Sequence, residues 1–460
     1  MDAVQQSDQA ASASELTPAT SRLVRLTDTP IQILAIYLGV TLLIPGVLLM
    51  ISDTWPFYYR YEDFSVLEGI VVFGAIALAC VLRHGQWAHR TEVEVTPQTI
   101  FLYSTQKLRI TGLLFAIAIS IFNFANSGFR YDEFGLSEKG SLSLYIYAII
   151  PACVKLLLVY HAFVYRGTSR LDRVERALVT LAFVVSINGS GTAFVAVFSL
   201  IALQTNAGDY LFKSKIAGAS YLRLVFLVAM GFVLLALVSL LLIGAFIYGE
   251  SVKREVPVES VVGSLNVDWS WDYLIERSAP PYASLVNTLP LTFDFEQDSL
   301  SNLGGVWNTF LFRLDALGIA NFDVARLSAK AIMRSNLEYI SSVDLTEREG
   351  TAPGLIPGFL YCFPPVLNLL MLAAYIFMAL GILQRLCLCM NDELSFIGKF
   401  ILAFFTLPLF ESPIDLLVII DDGFIFFVGL WWMGRLVKVH PVSAPLAKPE
   451  TAATRLEFGP

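Results

Sequence analysis

Three cations spaced by four residues, Arg326, Lys330 and Arg334, stand in the run from Asp323 to Ser341. Side chains four apart share one face of a helix, so this spacing predicts a row of positive charge that Glu338 continues. Asp323 suits the N-cap, and Val324, Leu327 and Ala331 supply the apolar side. Arg313 and Arg348 flank the run. Such a row suits a diphosphate: Arg binds phosphate oxygens in pairs and Lys adds a point charge. The same pattern also describes a solvated helix face, on which an Arg334–Glu338 pair contributes only about 0.2–0.5 kcal/mol.

The element that must position these residues is the hydrophilic block from Glu250 to Pro353. It is too long for a turn between helices, and loops of that length in a compact array are functional or disordered. Trp269, Trp271, Tyr273, Tyr282, Trp307 and Tyr339 argue for order. The first half is acidic and carries Pro257, Pro280, Pro281 and Pro290, which disfavours long helices there. Trp269, Trp271 and Tyr273 alternate as in a strand. They read either as a stacking platform for sugar rings or as a small aromatic core or interface belt. Gly304 to Gly318 has helical spacing through Trp307, Phe310, Leu311, Leu314 and Leu317.

The chain around this block belongs in a bilayer. Its 460 residues are 56% hydrophobic and 15% charged, with a mean hydropathy of +0.66, against about 25% charged in soluble domains. A spanning helix needs roughly 20 apolar residues. Such runs lie near 31–52, 64–83, 108–127, 141–165, 222–249, 356–384, 394–411 and 414–436. Two shorter runs, 177–188 and 192–204, are split by Asn188–Gly191. The expected fold is an all-α polytopic membrane protein of about ten transmembrane helices with one large, partly helical extracytoplasmic loop. Its parts are a disordered cytoplasmic tail (1–27), a transmembrane bundle (28–249), the loop domain (250–353), C-terminal transmembrane helices (354–438) and a second cytoplasmic tail (439–460). The early tail has no positive segment ahead of an apolar core, so it does not read as a cleaved signal peptide.

Lys and Arg orient the bundle. Arg83, Arg90, Lys107 and Arg109 lie on one side, with Arg166, Arg170, Arg173, Arg176, Lys213, Lys215, Arg223, Arg385, Lys399, Arg435 and Lys438. The opposite short loops hold Arg60, Arg130 and Lys139. Both termini are therefore expected in the cytoplasm, with 250–353 outside, in a bacterial inner membrane. A net charge of −8 without a basic stripe excludes nucleic acid as a partner. Cys80, Cys153, Cys362, Cys387 and Cys389 lie in or beside apolar runs, form no disulfide framework and lack the His partners of a zinc site. Lys155 lies deep in an apolar run, and Glu411, Asp415, Asp421 and Asp422 cluster near the last one. Ionisable residues inside a membrane mark functional sites by default, so Lys155 is a further candidate for a lipid phosphate.

The helix after the block opens Pro353-Gly354-Leu355-Ile356-Pro357-Gly358 and continues to Tyr361. This resembles the Pro-Gly-x-x-Gly-like opening of the Wzy-type oligosaccharide repeat-unit polymerases, the O-antigen and exopolysaccharide polymerase class. Gly128-Phe129-Arg130-Tyr131 resembles the Gly-x-Arg-Tyr of that class. The chain departs from the pattern at Phe359, where members often have an acidic residue, and has no Arg in the split around Asn188–Gly191. The resemblance implies transfer of a growing glycan from undecaprenyl diphosphate to the sugar of a second lipid-linked unit, without a metal or other cofactor. The block's own charges supply the catalytic candidates Arg313, Arg334, Glu338 and Arg348. The binding candidates are Arg326, Lys330 and Lys155 from their charge and position, with Arg130, Tyr131, Gly354, Gly358 and Tyr361 from the matching motifs. The partners would be the undecaprenyl-diphosphate-linked oligosaccharide, the bilayer and other polysaccharide assembly proteins. A ligase reading is disfavoured, because His84, His89, His161 and His440 all lie outside the block. A transporter or flippase, or a non-catalytic assembly component, is the alternative.

Overall fold

The computed structural model describes residues 22–25, 28–52, 63–88, 92–97, 106–127, 142–164, 169–186, 257–264, 279–295, 307, 311, 314, 354–390, 393–411, 422–435 and 437–441. They are overwhelmingly helical. In chain order they form β1 (Arg22–Arg25), α1 (Thr29–Leu38), a π turn (Gly39–Leu43), α2 (Ile44–Ser52), α3 (Val66–Ala88), β2 (Glu92–Pro97) and α4 (Gln106–Ser127). There follow α5 (Leu142–Val159), a second π turn (Tyr160–Val164), α6 (Arg170–Ser186), α7 (Val258–Ser264), and α8 (Pro280–Thr288) with a 3-10 turn (Leu289–Thr292). The C-terminal part contains α9 (Leu355–Cys362), α10 (Leu367–Cys389), α11 (Phe396–Phe405), α12 (Pro408–Glu411), α13 (Asp422–Gly434) and β3 (Val437–Pro441).

Among the described residues, three helices are long and apolar enough to cross a membrane: Thr29–Ile51, Val66–Gln86 and Leu367–Cys389. Shorter apolar helices run over Ile149–Val164, Phe396–Phe405 and Phe424–Gly434. The outer face of α3 leaves Leu67, Ile70, Leu78, Val81 and Leu82 exposed. Apolar side chains at that helical spacing suit lipid, since a contiguous apolar stripe in water would be costly. α10 is the centre of packing, against α1, α3, α9 and α13. Leu372, Ile376, Ala379, Leu380, Leu383 and Leu386 are fully buried along it. At the α5–α13 contact a Cβ on Gly429 would come within 2.2 Å of Leu156 Cδ1, so the missing side chain sets how closely these helices approach.

Helix starts follow local chemistry. Ser169 and Asp172 cap α6 reciprocally, Asp172 N donating to Ser169 Oγ (3.1 Å) and Ser169 N to Asp172 Oδ2 (2.9 Å). Ser395 caps α11 by accepting from Gly398 N. Two runs read as continuous from the sequence are interrupted. The helix expected over 356–384 stops at Cys362 and restarts at Leu367. Pro364 and Pro365 lie in the gap, and Val366 is forced to φ 69°. The helix expected over 394–411 stops at Phe405 and restarts at Pro408. That break is buried. Thr406 Oγ1 donates to the Leu402 carbonyl, Tyr37 Oη donates to the Phe410 carbonyl (2.6 Å), and Tyr375 Oη donates to the Leu409 carbonyl. Irregular backbone at membrane depth needs such internal partners.

A three-stranded antiparallel sheet, order β1-β2-β3, adds to the helical body. Its register sets Arg25 opposite Glu92, and Glu94 opposite His440. It gathers the segment before α1, the segment after α3 and the segment after α13 at one end of the bundle. Arg22–Arg25 thus forms a strand inside the tail expected to be disordered. The period-2 alternation of Glu92-Val93-Glu94-Val95 is the signal for it.

Candidate functional site

Within the 250–353 block, α8 and the 3-10 turn that follows it are seated on the bundle. Pro280 and Pro281 occupy the first turn of α8, where a missing N–H leaves no helical bond unmade. α8 and its 3-10 turn pack against α9, the first π turn and α3. Tyr282 lies against Gly46, where a Cβ would approach the ring to 2.7 Å. Ser284, Thr288 and Thr292, spaced by four, are fully buried in this contact. Thr288 Oγ1 donates to the Ser284 carbonyl at 2.8 Å. Asn368, also fully buried, reaches the Leu291 carbonyl across the break before α10.

Of the twelve candidate catalytic and binding residues, four are described. Gly354 is the N-cap of α9 with φ 85° and ψ 172°, a conformation that only glycine adopts without strain. A Cβ there would make ordinary contacts with Pro281 and Pro357 at 3.7 and 3.8 Å, so backbone conformation, and not space, demands the glycine. Gly358 and Tyr361 are buried, as is every residue of Leu355–Cys362. At eight residues, about 12 Å, α9 is too short to cross a membrane and packs against α8. Lys155 lies on α5, half-buried, beside the Leu156–Gly429 contact. Arg130, Tyr131, Arg313, Arg326, Lys330, Arg334, Glu338 and Arg348 lie outside the described residues. The structure therefore brings Gly354, Gly358 and Tyr361 together beneath the docked loop segment and leaves Lys155 on another helix.

A second polar centre, which the sequence reading did not assemble, joins α4, the second π turn and α6. Glu175 is fully buried and receives Arg109 through two bonds, Nε to Oε1 at 2.6 Å and Nη2 to Oε2 at 3.2 Å. Gln106 Nε2 bridges Asp172 Oδ1 (2.8 Å) and Glu175 Oε2 (3.0 Å). His161 Nε2 lies 3.2 Å from Glu175 Oε1. Burial pushes the Glu175 carboxyl up, but bonds from His161, Arg109 and Gln106 outweigh it and hold the group down at about 2. Arg109 counted only as an orienting charge, and His161 only as a histidine outside the loop. The available signal was Asp172 and Glu175 three apart on one helix face, with a histidine inside an apolar run.

No protein family, curated protein or solved structure matches the chain. The functional reading rests on the residues and their placement. The α8–α9 contact buries the hydroxyls of Ser284, Thr288 and Thr292 and the Asn368 amide. The Arg109–Glu175 centre ties α4, the second π turn and α6 together.

Proposed function

We propose that this chain is a Wzy-type membrane polymerase. It joins undecaprenyl-diphosphate-linked oligosaccharide repeat units into a cell-surface polysaccharide, in a bacterial inner membrane, with both termini cytoplasmic and about ten spans. The supporting observation is the docking of Ala279–Phe295 on the glycine-opened helix Leu355–Cys362. The large loop is thereby attached to the bundle where the motif Pro353–Gly358 stands, as a cap over a membrane-embedded site requires. The sheet that joins residues from both tails and from the segment after α3 agrees with the Lys/Arg orientation.

In this reading the acceptor sugar hydroxyl attacks the anomeric carbon of the donor glycan. The carbon–oxygen bond to the diphosphate breaks, undecaprenyl diphosphate leaves, and a base takes the hydroxyl proton. Arg326, Lys330 and Arg334, with Arg313 and Arg348, hold the diphosphate as its charge develops, and Glu338 is the carboxylate beside them. Electrostatic stabilisation of that kind contributes about 10²–10³ in rate per well-placed donor. Single Ala variants of the five cations test this, scored for polymer length and for protein level in the membrane. Normal protein with unpolymerised lipid-linked units is expected, with Arg334→Lys still impaired. Normal polymer from all five would remove the row from the site.

The buried break between α11 and α12 favours one second reading, a transporter or flippase, because discontinuous helices near the bilayer midplane form substrate sites in such proteins. Tyr37 lies eight residues, about 12 Å, from the start of α1, which puts the break deep in the bundle. Lipid-linked units that accumulate on the cytoplasmic face of a deletion strain would support this second reading. Accumulation on the outer face would support the polymerase.

A further inference from the structure

The end of the bundle that carries the sheet also gathers three guanidinium groups from α3, α10 and α13. Arg83 lies across α10 at Gly381, where a Cβ would come within 2.5 Å of Nη2 and 2.9 Å of Cζ. Its guanidinium stands 4.8 Å over the Phe377 ring, and Nη1 donates to Gln86 Oε1 at 3.2 Å. Arg385 is one turn beyond Gly381 and shares its face. The Arg385 stem crosses α13 at Gly434, where a Cβ would meet Arg385 Cβ at 2.9 Å and Cδ at 3.6 Å. Arg435 follows directly, its guanidinium 4.0 Å over the Trp431 ring. Two glycines thus let arginine side chains cross neighbouring helix backbones, and two aromatic faces fix the planes of the outer guanidiniums. Arg385 and Arg435 are exposed.

The depth of this cluster is that of lipid head groups. Arg83 stands five residues, about 8 Å, before the end of α3, and Arg385 four residues, about 6 Å, before the end of α10. Trp431 and Trp432, both partly exposed beside them, have the character of an interfacial aromatic belt. Just inside this level, Val81, Leu82, Met378 and Val428 are exposed and apolar, a surface for acyl chains. The C-terminal carbonyls of three helices lower the cost of bringing the cations together without cancelling their charge. Among the described residues at this end, Asp28 faces His84 at 2.8 Å, Glu393 lies in the turn before α11, Glu92 and Glu94 stand on β2 in register with Arg25 and His440, and Asp172 and Glu175 are bound by Gln106 and Arg109. Lys399 adds a further cation there, its Nζ donating to Gln32 Oε1 at 2.7 Å.

We propose that Arg83, Arg385 and Arg435 form a binding site for the phosphate head group of an anionic membrane phospholipid, with the acyl chains along Val81, Leu82, Met378 and Val428. The site is separate from the polymerase reading and holds whichever way the bundle is oriented. The test uses the full chain, stripped of lipid in a neutral detergent and titrated with phosphatidylglycerol or phosphatidylcholine. Bound lipid is counted by native mass spectrometry, and the unfolding midpoint is followed in parallel. Phosphatidylglycerol is expected to be retained and to raise the midpoint, and phosphatidylcholine is not. Each lost cation near an anionic lipid surface weakens binding about fivefold. Arg385→Ala and Arg435→Ala should each show that loss, and the double variant a loss on the order of thirtyfold. Both residues are exposed, so the variants should fold, and the Arg385→Lys/Arg435→Lys double variant should keep most of the binding. Equal phosphatidylglycerol retention by wild type and the double Ala variant would overturn the proposal. So would inorganic phosphate raising the midpoint as much as the lipid, because the site would then serve a soluble anion.

Discussion

Gly354 and Glu175 answer to different physics. Gly354 sits at φ 85° with room for a methyl group around it. Gly354→Ala should therefore cost about 1–3 kcal/mol through backbone strain alone. Thermal unfolding in detergent would read this as a lower midpoint, and a loss no larger than that of an exposed helix substitution would contradict it. Glu175 is held by charge. Glu175→Gln leaves Arg109 buried without its counter-charge, and breaking a buried pair from one side costs about 3–5 kcal/mol. Its carboxyl lies at about 2 in the folded chain, below the ordinary Glu value of about 4.3. A depressed carboxylate contributes stability above its unfolded value, and that contribution disappears as pH falls towards the folded value. Wild type should consequently lose its advantage over Glu175→Gln between about pH 4.3 and pH 2. Parallel midpoint-against-pH curves for the two proteins over that range would refute the assignment.

At the scale of elements, helix breaks and the docked loop segment carry the argument. α11 and α12 are separated by a turn closed by local bonds, and the α12 carbonyls of Phe410 and Leu409 accept from Tyr37 and Tyr375, which are far away in the chain. Tyr37→Phe keeps the ring against Phe410 but leaves the Phe410 carbonyl without its donor, which costs about 1–3 kcal/mol when buried. Hydrogen exchange should show faster exchange in 405–411 while α3 stays protected. The loop segment depends on shape. Gly46→Leu would occupy the space of the Tyr282 ring, so α8 should detach and Ala279–Phe295 should become open to protease, with the spanning helices intact. Unchanged cleavage in that segment would mean that the α8–α9 contact alone anchors the loop.

For the whole molecule, the sheet constrains the path of the chain. β1, β2 and β3 can pair only if the segments before α1, after α3 and after α13 share one side of the membrane. Reporter fusions after Thr168 and Asn391 should give cytoplasmic signals, and fusions after Ser278 and Ser301 extracytoplasmic ones. A cytoplasmic signal from the Ser278 fusion would overturn the orientation and, with it, the polymerase reading. The lipid site, which depends only on an interface, would survive.

Several features were legible from residues alone because they depend on local composition. Thr29–Ile51, Val66–Gln86 and Leu367–Cys389 announce themselves by length and hydropathy. Pro280, Pro281 and Pro290 disfavour a long helix in the first half of the block, and α8 is nine residues long. The Gly354 position was visible as a motif, although its positive φ was not. What escaped the sequence depends on contacts between distant segments. The sheet needs strands from Arg22, Glu92 and Val437 to meet. The Glu175 centre needs three elements to converge before Arg109, Gln106 and His161 can compensate a buried charge. The breaks after Cys362 and Phe405 lie in runs that are apolar throughout, so hydropathy passes over them. Tertiary structure decides them, because irregular backbone inside a bilayer is tolerated only where the fold supplies partners for its carbonyls, as Tyr37 and Tyr375 do for Phe410 and Leu409 in the short helix that follows the second break.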